Sequence, residues 1–323
     1  MNEVKLSDAD SYPWLEAHWS FFMQRLDNEN LAHALLIEGP ECIGKAALAR
    51  AMVCRLLCLE NQPVACGHCR SCGLLVGAAH PDYFDLQPEE DSEMIKVDQV
   101  RALIGKLNLT TSISKRKVAY IHPAEAMNIA AANALLKSLE EPAGDTVLIL
   151  VSDKPGRLPI TIRSRCQSIC ISQPDPQTVM NWLGKHSENT TDQLEAALQA
   201  AGNSPLLAKH YLDSPDLKAF GQVRAGLAKL LESPASVSLV CSEMSTMNPV
   251  ELWRWLSNCT GEVIKSVMLG QSLGWMPKNI NLSGKSLLEL QKKADVNRQL
   301  SSTPVRADLL LQDWLIRWAE LVI

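Results

Sequence analysis

Gly39-Pro40-Glu41-Cys42-Ile43-Gly44-Lys45-Ala46 has the spacing of a phosphate-binding loop that lacks its final hydroxyl. In the G-x-x-x-x-G-K-[ST] pattern the glycines let backbone N–H groups wrap the phosphates. The lysine neutralises their charge, and the Ser/Thr oxygen ligates Mg²⁺. Ala46 has no oxygen to offer a metal, so the pattern predicts the loop without the metal chemistry. Gly39, Gly44 and Lys45 are the candidate nucleotide-binding residues of a degenerate site. Lys45 either holds a nucleotide weakly or fills an empty loop.

Cys58, Cys66, Cys69 and Cys72 form C-x₇-C-x₂-C-x₂-C. Two overlapping C-x₂-C steps turn several thiolates toward one point, and a fourth thiolate closes a tetrahedral Zn²⁺ site with no open position for water. Such a site is structural, and redox-active thiols are the alternative reading. Cys54 and His68 are weaker substitutes for Cys58. Metal binding in small zinc modules contributes about 10–16 kcal/mol, so the knuckle spanning 58–72 should loosen first when zinc is lost. Ten cysteines in a 323-residue chain point to thiols and metal ligands rather than to a disulfide framework.

The elements that must position these groups follow from periodicity. His33 to Glu38 reads as a buried strand and Lys45 to Cys58 as a helix, the strand, loop, helix order that a phosphate loop requires. Further strands are expected at Tyr83 to Gln87, Lys117 to His122, Thr146 to Ser152 and Gln167 to Ser172. Helices separate them: one capped by Asp98 that buries Val100, Leu103, Ile104 and Leu107, and one from Ala124 to Glu141 stopped by Pro142. The alternation argues for a parallel α/β sheet over residues 1–172. Past Gln173-Pro174-Asp175-Pro176 strand signals cease. Gln177 to Lys185 and Thr191 to Ala201 read as short helices, and Pro205 starts another, making a small helical domain over 173–211.

From 212 to 323 the chain is helical by period. Pro249 to Leu269 puts Leu252, Leu256, Val263, Ile264 and Val267 on one stripe, and Pro304 to Ile323 does the same with Leu309, Leu310, Leu315 and Leu321. Trp253, Trp255, Trp314 and Trp318 lie in these segments and serve either a bundle core or a partner-facing seam. Gly270 to Gly284 reads as a connecting loop. With 46% hydrophobic residues and a net charge of −5, a globally basic nucleic-acid-wrapping surface is not expected. Lys115-Arg116-Lys117 and the stretch from Lys154 to Arg165 read as solvated faces able to make local contacts. No run of about 18 apolar residues exists and Met1 to Asp10 is polar, so a cytoplasmic protein with no membrane segment is expected.

Asn133-Ala134-Leu135-Leu136-Lys137-Ser138-Leu139-Glu140-Glu141-Pro142, Ser164-Arg165-Cys166 and the four-cysteine insertion together resemble the bacterial sliding-clamp loaders of the AAA+ superfamily. The resemblance covers about Tyr12 to Ala208. Tyr12-Pro13-Trp14, His33-Ala34-Leu35-Leu36-Ile37 and His80-Pro81-Asp82-Tyr83 are similar to one particular subunit within it. The resemblance implies an AAA+ P-loop domain with a zinc insertion, a small helical lid and a C-terminal collar. It also implies that Arg165, with Ser164 and Cys166 beside it, projects as an arginine finger toward the γ-phosphate held by a neighbouring subunit. Cys166 is expected to pack and Ser164 to make a local hydrogen bond.

Family motors end the strand matching Lys117 to Ile121 in Asp-Glu, where this chain has His122 and Pro123. Glu125 is expected as a first-turn helix residue rather than a substitute base, and the lid arginine of the motors is replaced around Ser204-Pro205. The implied function is a non-hydrolysing stator of a DNA-directed DNA polymerase (nucleotidyltransferase) holoenzyme, with no ATP/Mg²⁺ turnover of its own. The implied partners are tau/gamma motor subunits, the delta subunit and, through the assembly, the sliding clamp and primed DNA. Rival readings are a working clamp-loader-type ATPase and a zinc-knuckle nucleic-acid-binding module.

Overall fold

The computed structural model describes residues 12–277, 282–301 and 306–321, which separate into two compact units, Met1–Trp182 and Leu183–Ile323. In the first unit, the strands are β1 (Ala34–Glu38), β2 (Tyr83–Leu86), β3 (Lys117–Ile121), β4 (Thr146–Ser152) and β5 (Gln167–Cys170). All pair in parallel, in the order β2-β3-β4-β1-β5. A parallel sheet is covered on both faces, which is why these strands read as continuous apolar runs. Leu35, Ile37, Val118, Tyr120, Ile149 and Val151 enter one core. Their neighbours Leu36, Ala119, Ile121, Leu148 and Leu150 enter the other.

Helices α1 (Glu16–Asp27) and α2 (Lys45–Leu57) supply Phe22, Leu48 and Met52 to the first core. After the short α3 (Arg70–Val76), α4 (Val97–Leu107) and α5 (Ile129–Glu140) supply Val100, Leu103, Ala131 and Leu135 to the second. The short α6 (Ile160–Arg163) precedes β5 and adds Ile162 to that side. This is the parallel α/β sheet that the strand and helix alternation predicts, with β1 between β4 and β5.

Several local expectations are corrected. Asp98 does not cap α4: the cap is Lys96, whose backbone N–H donates to Gln99 Oε1 at 2.8 Å, and Asp98 lies in the first turn. The expected helix from Ala124 to Glu141 is interrupted. Ala124–Ala126 form one 3₁₀ turn, and Asn128 opens a new helix by accepting a hydrogen bond from Ala131 N–H at 2.8 Å. A residue that caps this well competes with helix continuation. Lys117 is not on a solvated face. It is buried and donates to the Leu107 carbonyl at 2.8 Å, closing the C-terminus of α4.

Helix α7 (Pro176–His186) runs across the division between the units. The second unit is helical: α8 (Thr191–Ala200), α9 (Pro205–Leu212), α10 (Asp216–Glu232), α11 (Val237–Met244), α12 (Pro249–Leu269), α13 (Gly284–Leu300) and α14 (Ala307–Ala319). The four tryptophans are core. Trp314 stacks on Trp318 at 5.4 Å, Trp253 meets Trp314 edge-on at 6.4 Å, and the Trp318 indole N–H donates to the Leu227 carbonyl at 3.0 Å. Leu252, Leu256, Val263 and Ile264 are buried with them, but Val267 and Leu309 face outward, 45% and 52% exposed. The expected helix from Pro304 to Ile323 is seen as α14, and its outermost positions lie outside the described residues.

Candidate functional site

The phosphate loop leaves β1 at Glu38 and enters α2 at Lys45, and two glycines make that path feasible. Gly39 has φ +152°, and a Cβ there would meet the Ile171 carbonyl oxygen at 2.2 Å; Gly44 has φ +94°, and a Cβ there would lie a tight 3.1 Å from Leu15 and 3.2 Å from Tyr12. Left-handed backbone of this kind costs a non-glycine residue free energy. The Trp14 indole donates to the Ile43 carbonyl at 2.8 Å, and Tyr12 and Trp182 pack about Trp14, closing one flank of the loop.

Lys45 is 3% exposed and already engaged. Its ammonium lies 2.5 Å from Asp153 Oδ1 and also donates to the Pro40 carbonyl. The sheet explains the first contact. Glu38 is paired with Ser152 across β1 and β4, so Asp153 follows β4 at the point where the loop departs from β1. Lys154 adds an ion pair to Glu41 at 3.5 Å. Ala46, in the first turn of α2, brings no oxygen.

The acidic groups near this loop have other partners. His122 follows β3 where motors carry an acid, and burial holds its imidazole below the usual histidine range against the pull of Asp153 and Glu125. Pro123 has no ionisable group. Glu125 lies in the 3₁₀ turn and accepts hydrogen bonds from the Asp153 and Lys154 backbone N–H groups, both at 3.1 Å. Ser204 and Pro205 begin α9, which contains no arginine.

Arg165 lies after α6, on the surface. Its Nε donates to Glu140 Oε1 at 2.6 Å, Nη2 approaches the same oxygen at 2.5 Å, and Nη1 donates to the Thr161 carbonyl at 3.0 Å. The side chain remains 35% exposed, and Ile160 beside it is 71% exposed. Ser164 Oγ donates to the Thr161 carbonyl at 3.3 Å. Cys166 packs against the second core, and burial pushes its thiol up to about 12.

The insertion brings Cys58, Cys66, Cys69 and Cys72 together with all four sulfurs within 4.8 Å of one another. Cys58 and Cys66 sulfurs are 3.6 Å apart, and Cys66 and Cys72 sulfurs 4.0 Å. Tetrahedral zinc–thiolate bonds of about 2.3 Å place sulfurs about 3.8 Å apart, so the donor set fits a closed four-thiolate metal site. Backbone N–H groups of Cys66, Cys69 and Cys72 point at the sulfurs of Cys58, Cys66 and Cys69. Burial alone would raise the Cys69 thiol, but hydrogen bonds from Cys72 and Leu59 backbone bring it down to about 6. Cys54 is fully buried outside this group, and His68 clusters instead with Glu60 and Cys66.

Sequence patterns did not expose what anchors this insertion. Ser71 Oγ donates to the Leu57 carbonyl at 2.6 Å and meets His80 Nε2 at 2.8 Å, while His80 Nδ1 accepts from Asp82 N–H at 3.1 Å. Asp82, 1% exposed, accepts from the backbone N–H groups of Ser112, Ile113 and Ser114 at 2.7, 2.8 and 2.9 Å. His80-Pro81-Asp82 thus ties the cysteine segment to the loop before β3. In the sequence His80-Pro81-Asp82-Tyr83 stands out by family resemblance alone, which says nothing of these contacts.

Sheet order and loop define a parallel α/β protein with a P-loop-like turn between β1 and α2. Residues 14–175 match the family model described as DNA polymerase III, delta subunit. The DNA polymerase III subunit delta′ of Pseudomonas aeruginosa is 38% identical, over 97% of this chain and 98% of that protein. The Escherichia coli subunit delta′ is 32% identical, over 95% and 94%. A solved DNA polymerase III gamma subunit-related protein of Thermotoga maritima aligns with TM-score 0.49 and 16% identity, covering 93% of this chain and 99% of that one. The chain belongs to the DNA polymerase III delta-prime family.

Proposed function

We propose that this chain is the stator of a clamp loader: an accessory, non-hydrolysing subunit of the DNA polymerase III holoenzyme that donates Arg165 to the ATP site of a neighbour. The observation that carries this reading is the state of Lys45, whose ammonium is paired by Asp153 at the end of β4. Ala46 and His122-Pro123 remove the remaining metal and water chemistry. A γ-phosphate would have to displace a carboxylate already in place, with no Mg²⁺ ligand to assist.

Arg165 is suited to act outward. Its ion pair with Glu140 is exposed, and exposed pairs are worth about 0.2–1 kcal/mol, so a phosphate can take the guanidinium at little cost. A planar guanidinium matches charge spread over phosphate oxygens, and a finger given in trans can contribute about 10³–10⁵ in rate. Ser164 and Cys166 position it from either side.

Under this reading residues 1–172 form the AAA+ domain, 173–211 the lid and 212–323 the collar of a cytoplasmic hetero-oligomer. Its partners are the tau/gamma motors and the delta subunit, which together load the sliding clamp onto primed DNA. Cys58, Cys66, Cys69 and Cys72 would hold Zn²⁺, which supplies a structural crosslink. Among the described residues no helix is long and apolar enough to cross a membrane.

Equilibrium ATP binding and steady-state hydrolysis, with the chain alone and then mixed with motor subunits, test the reading. No turnover by the chain alone and stimulated turnover in the mixture are expected. Intrinsic turnover abolished by Lys45→Ala would establish a working ATPase instead.

A further inference from the structure

The first unit has a concave site at the end of α2 opposite the phosphate loop. A cleft of about 830 Å³ opens between α1, the end of α2, the start of the cysteine insertion and the segment before β3. Its apolar wall includes Trp19, Met23 and Leu26 of α1 and Leu56 of α2. Arg55, on the last turn of α2, also lines it and is 7% exposed.

Arg55 is chemically unfinished. Its Nη2 donates to Asn61 Oδ1 at 2.9 Å, but its Nε is buried with no hydrogen-bond partner. A guanidinium out of water is costly unless paired, and an unpaired donor adds to that cost. Its fork is shaped for a planar two-oxygen anion.

The remaining lining sets the charge of that anion. Lys115 and Arg116 join Arg55, and Asp27, Glu29 and Glu60 also line the cleft, so the walls are formally neutral. Arg116 already leans on Asp145 at 3.4 Å, and Glu60 on His68 at the same distance. A neutral rim gives a polyphosphate or nucleic-acid strand no long-range attraction, so the feature that selects an anion is local, the unpartnered guanidinium Nε of Arg55 with Lys115 also on the wall. The apolar wall beside that charge calls for an apolar body on the ligand. Pockets of about 300–1,000 Å³ hold ligands of drug or dipeptide size.

We propose that this cleft binds a carboxylate carried on an apolar or aromatic group of about dipeptide size, with Arg55 pairing the carboxylate, Lys115 at its edge and Trp19 and Met23 against the apolar part. A free organic acid and the C-terminal residue of a protein share this chemistry. The site is independent of the stator reading and uses none of its residues.

Calorimetric titration of the full, zinc-loaded chain with N-acetyl-Leu-Phe, its C-terminal amide, phenylacetate and inorganic phosphate tests the proposal. N-acetyl-Leu-Phe should bind at least tenfold more tightly than its amide and than phosphate. Phenylacetate binding as well as the peptide assigns a free acid, and tenfold weaker binding assigns a chain end. Arg55→Lys should weaken the acid at least tenfold. Lys115→Ala, at an exposed position, should weaken it about threefold and keeps the test open if the buried variant fails to fold. Equal binding of acid and amide, preference for phosphate, or unchanged probe binding in a folded Arg55→Lys would overturn the proposal.

Discussion

Asp153→Asn separates a sealed phosphate loop from one that is merely empty. In the native chain the Asp153 carboxylate lies 2.5 Å from the ammonium of Lys45, whose side chain is 3% exposed while that of Asp153 is 29% exposed. Removing one partner of a fully buried pair costs about 3–5 kcal/mol, because the other charge is left without compensation. Asp153 is partly hydrated and the Pro40 carbonyl still receives the ammonium, so the expected loss is about 1–3 kcal/mol after that discount. For domains of 150–250 residues each kcal/mol moves the midpoint by about 2–4 °C, which thermal unfolding followed by circular dichroism resolves. The released ammonium should also accept an external anion. Pyrophosphate, titrated calorimetrically, should bind Asp153→Asn at least tenfold more tightly than the parent, without restoring hydrolysis, since Ala46 and His122 are unchanged. A variant as stable as the parent within about 0.5 kcal/mol, with no gain in pyrophosphate binding, would refute the reasoning that Asp153 occupies the lysine.

Acid should unfold the first unit in two stages. Burial holds His80 below 6.5, so its contribution is complete above about pH 6.5 and declines as the pH falls toward its folded-state value. For Asp82 burial alone would raise the carboxyl, but three backbone hydrogen bonds outweigh it and bring the group below 3.8, so that contribution is present above about pH 3.8 and disappears below. Urea midpoints measured across pH 3–8 should show both steps, and His80→Gln should flatten the upper one; an unchanged slope between pH 5 and 7 would contradict the assignment. Metal analysis should find one zinc per chain, and Cys72→Ser should lower zinc affinity at least 100-fold while leaving the parallel sheet folded. Purified protein without zinc, with all four thiols freely alkylated, would retire the metal site.

The strands were legible because parallel, doubly covered strands require uninterrupted apolar runs, and Thr146 to Ser152 emerged with its expected ends. The four thiols were legible because their spacing alone brings them together. The interruption at Asn128 was carried by one side-chain bond to Ala131, a signal that the apolar repeat through Ala130 and Ala134 masked. Val267 and Leu309 read as core because a strict helical stripe takes no account of where neighbouring helices end. What decides the loop's state, the meeting of Lys45 with Asp153, depends on β1 and β4 being adjacent, which local sequence does not encode. Asp82 likewise finds its partners thirty residues away, at Ser112 to Ser114.

ATP hydrolysis by a loader assembled from motor subunits, delta and this chain carrying Arg165→Ala tests the central claim most directly. Single-turnover measurement at the adjoining motor site should show at least a 10³-fold loss, within the range that a finger given in trans supplies, with assembly and the fold of the variant intact. Turnover equal to that of the parent complex at that site would contradict it.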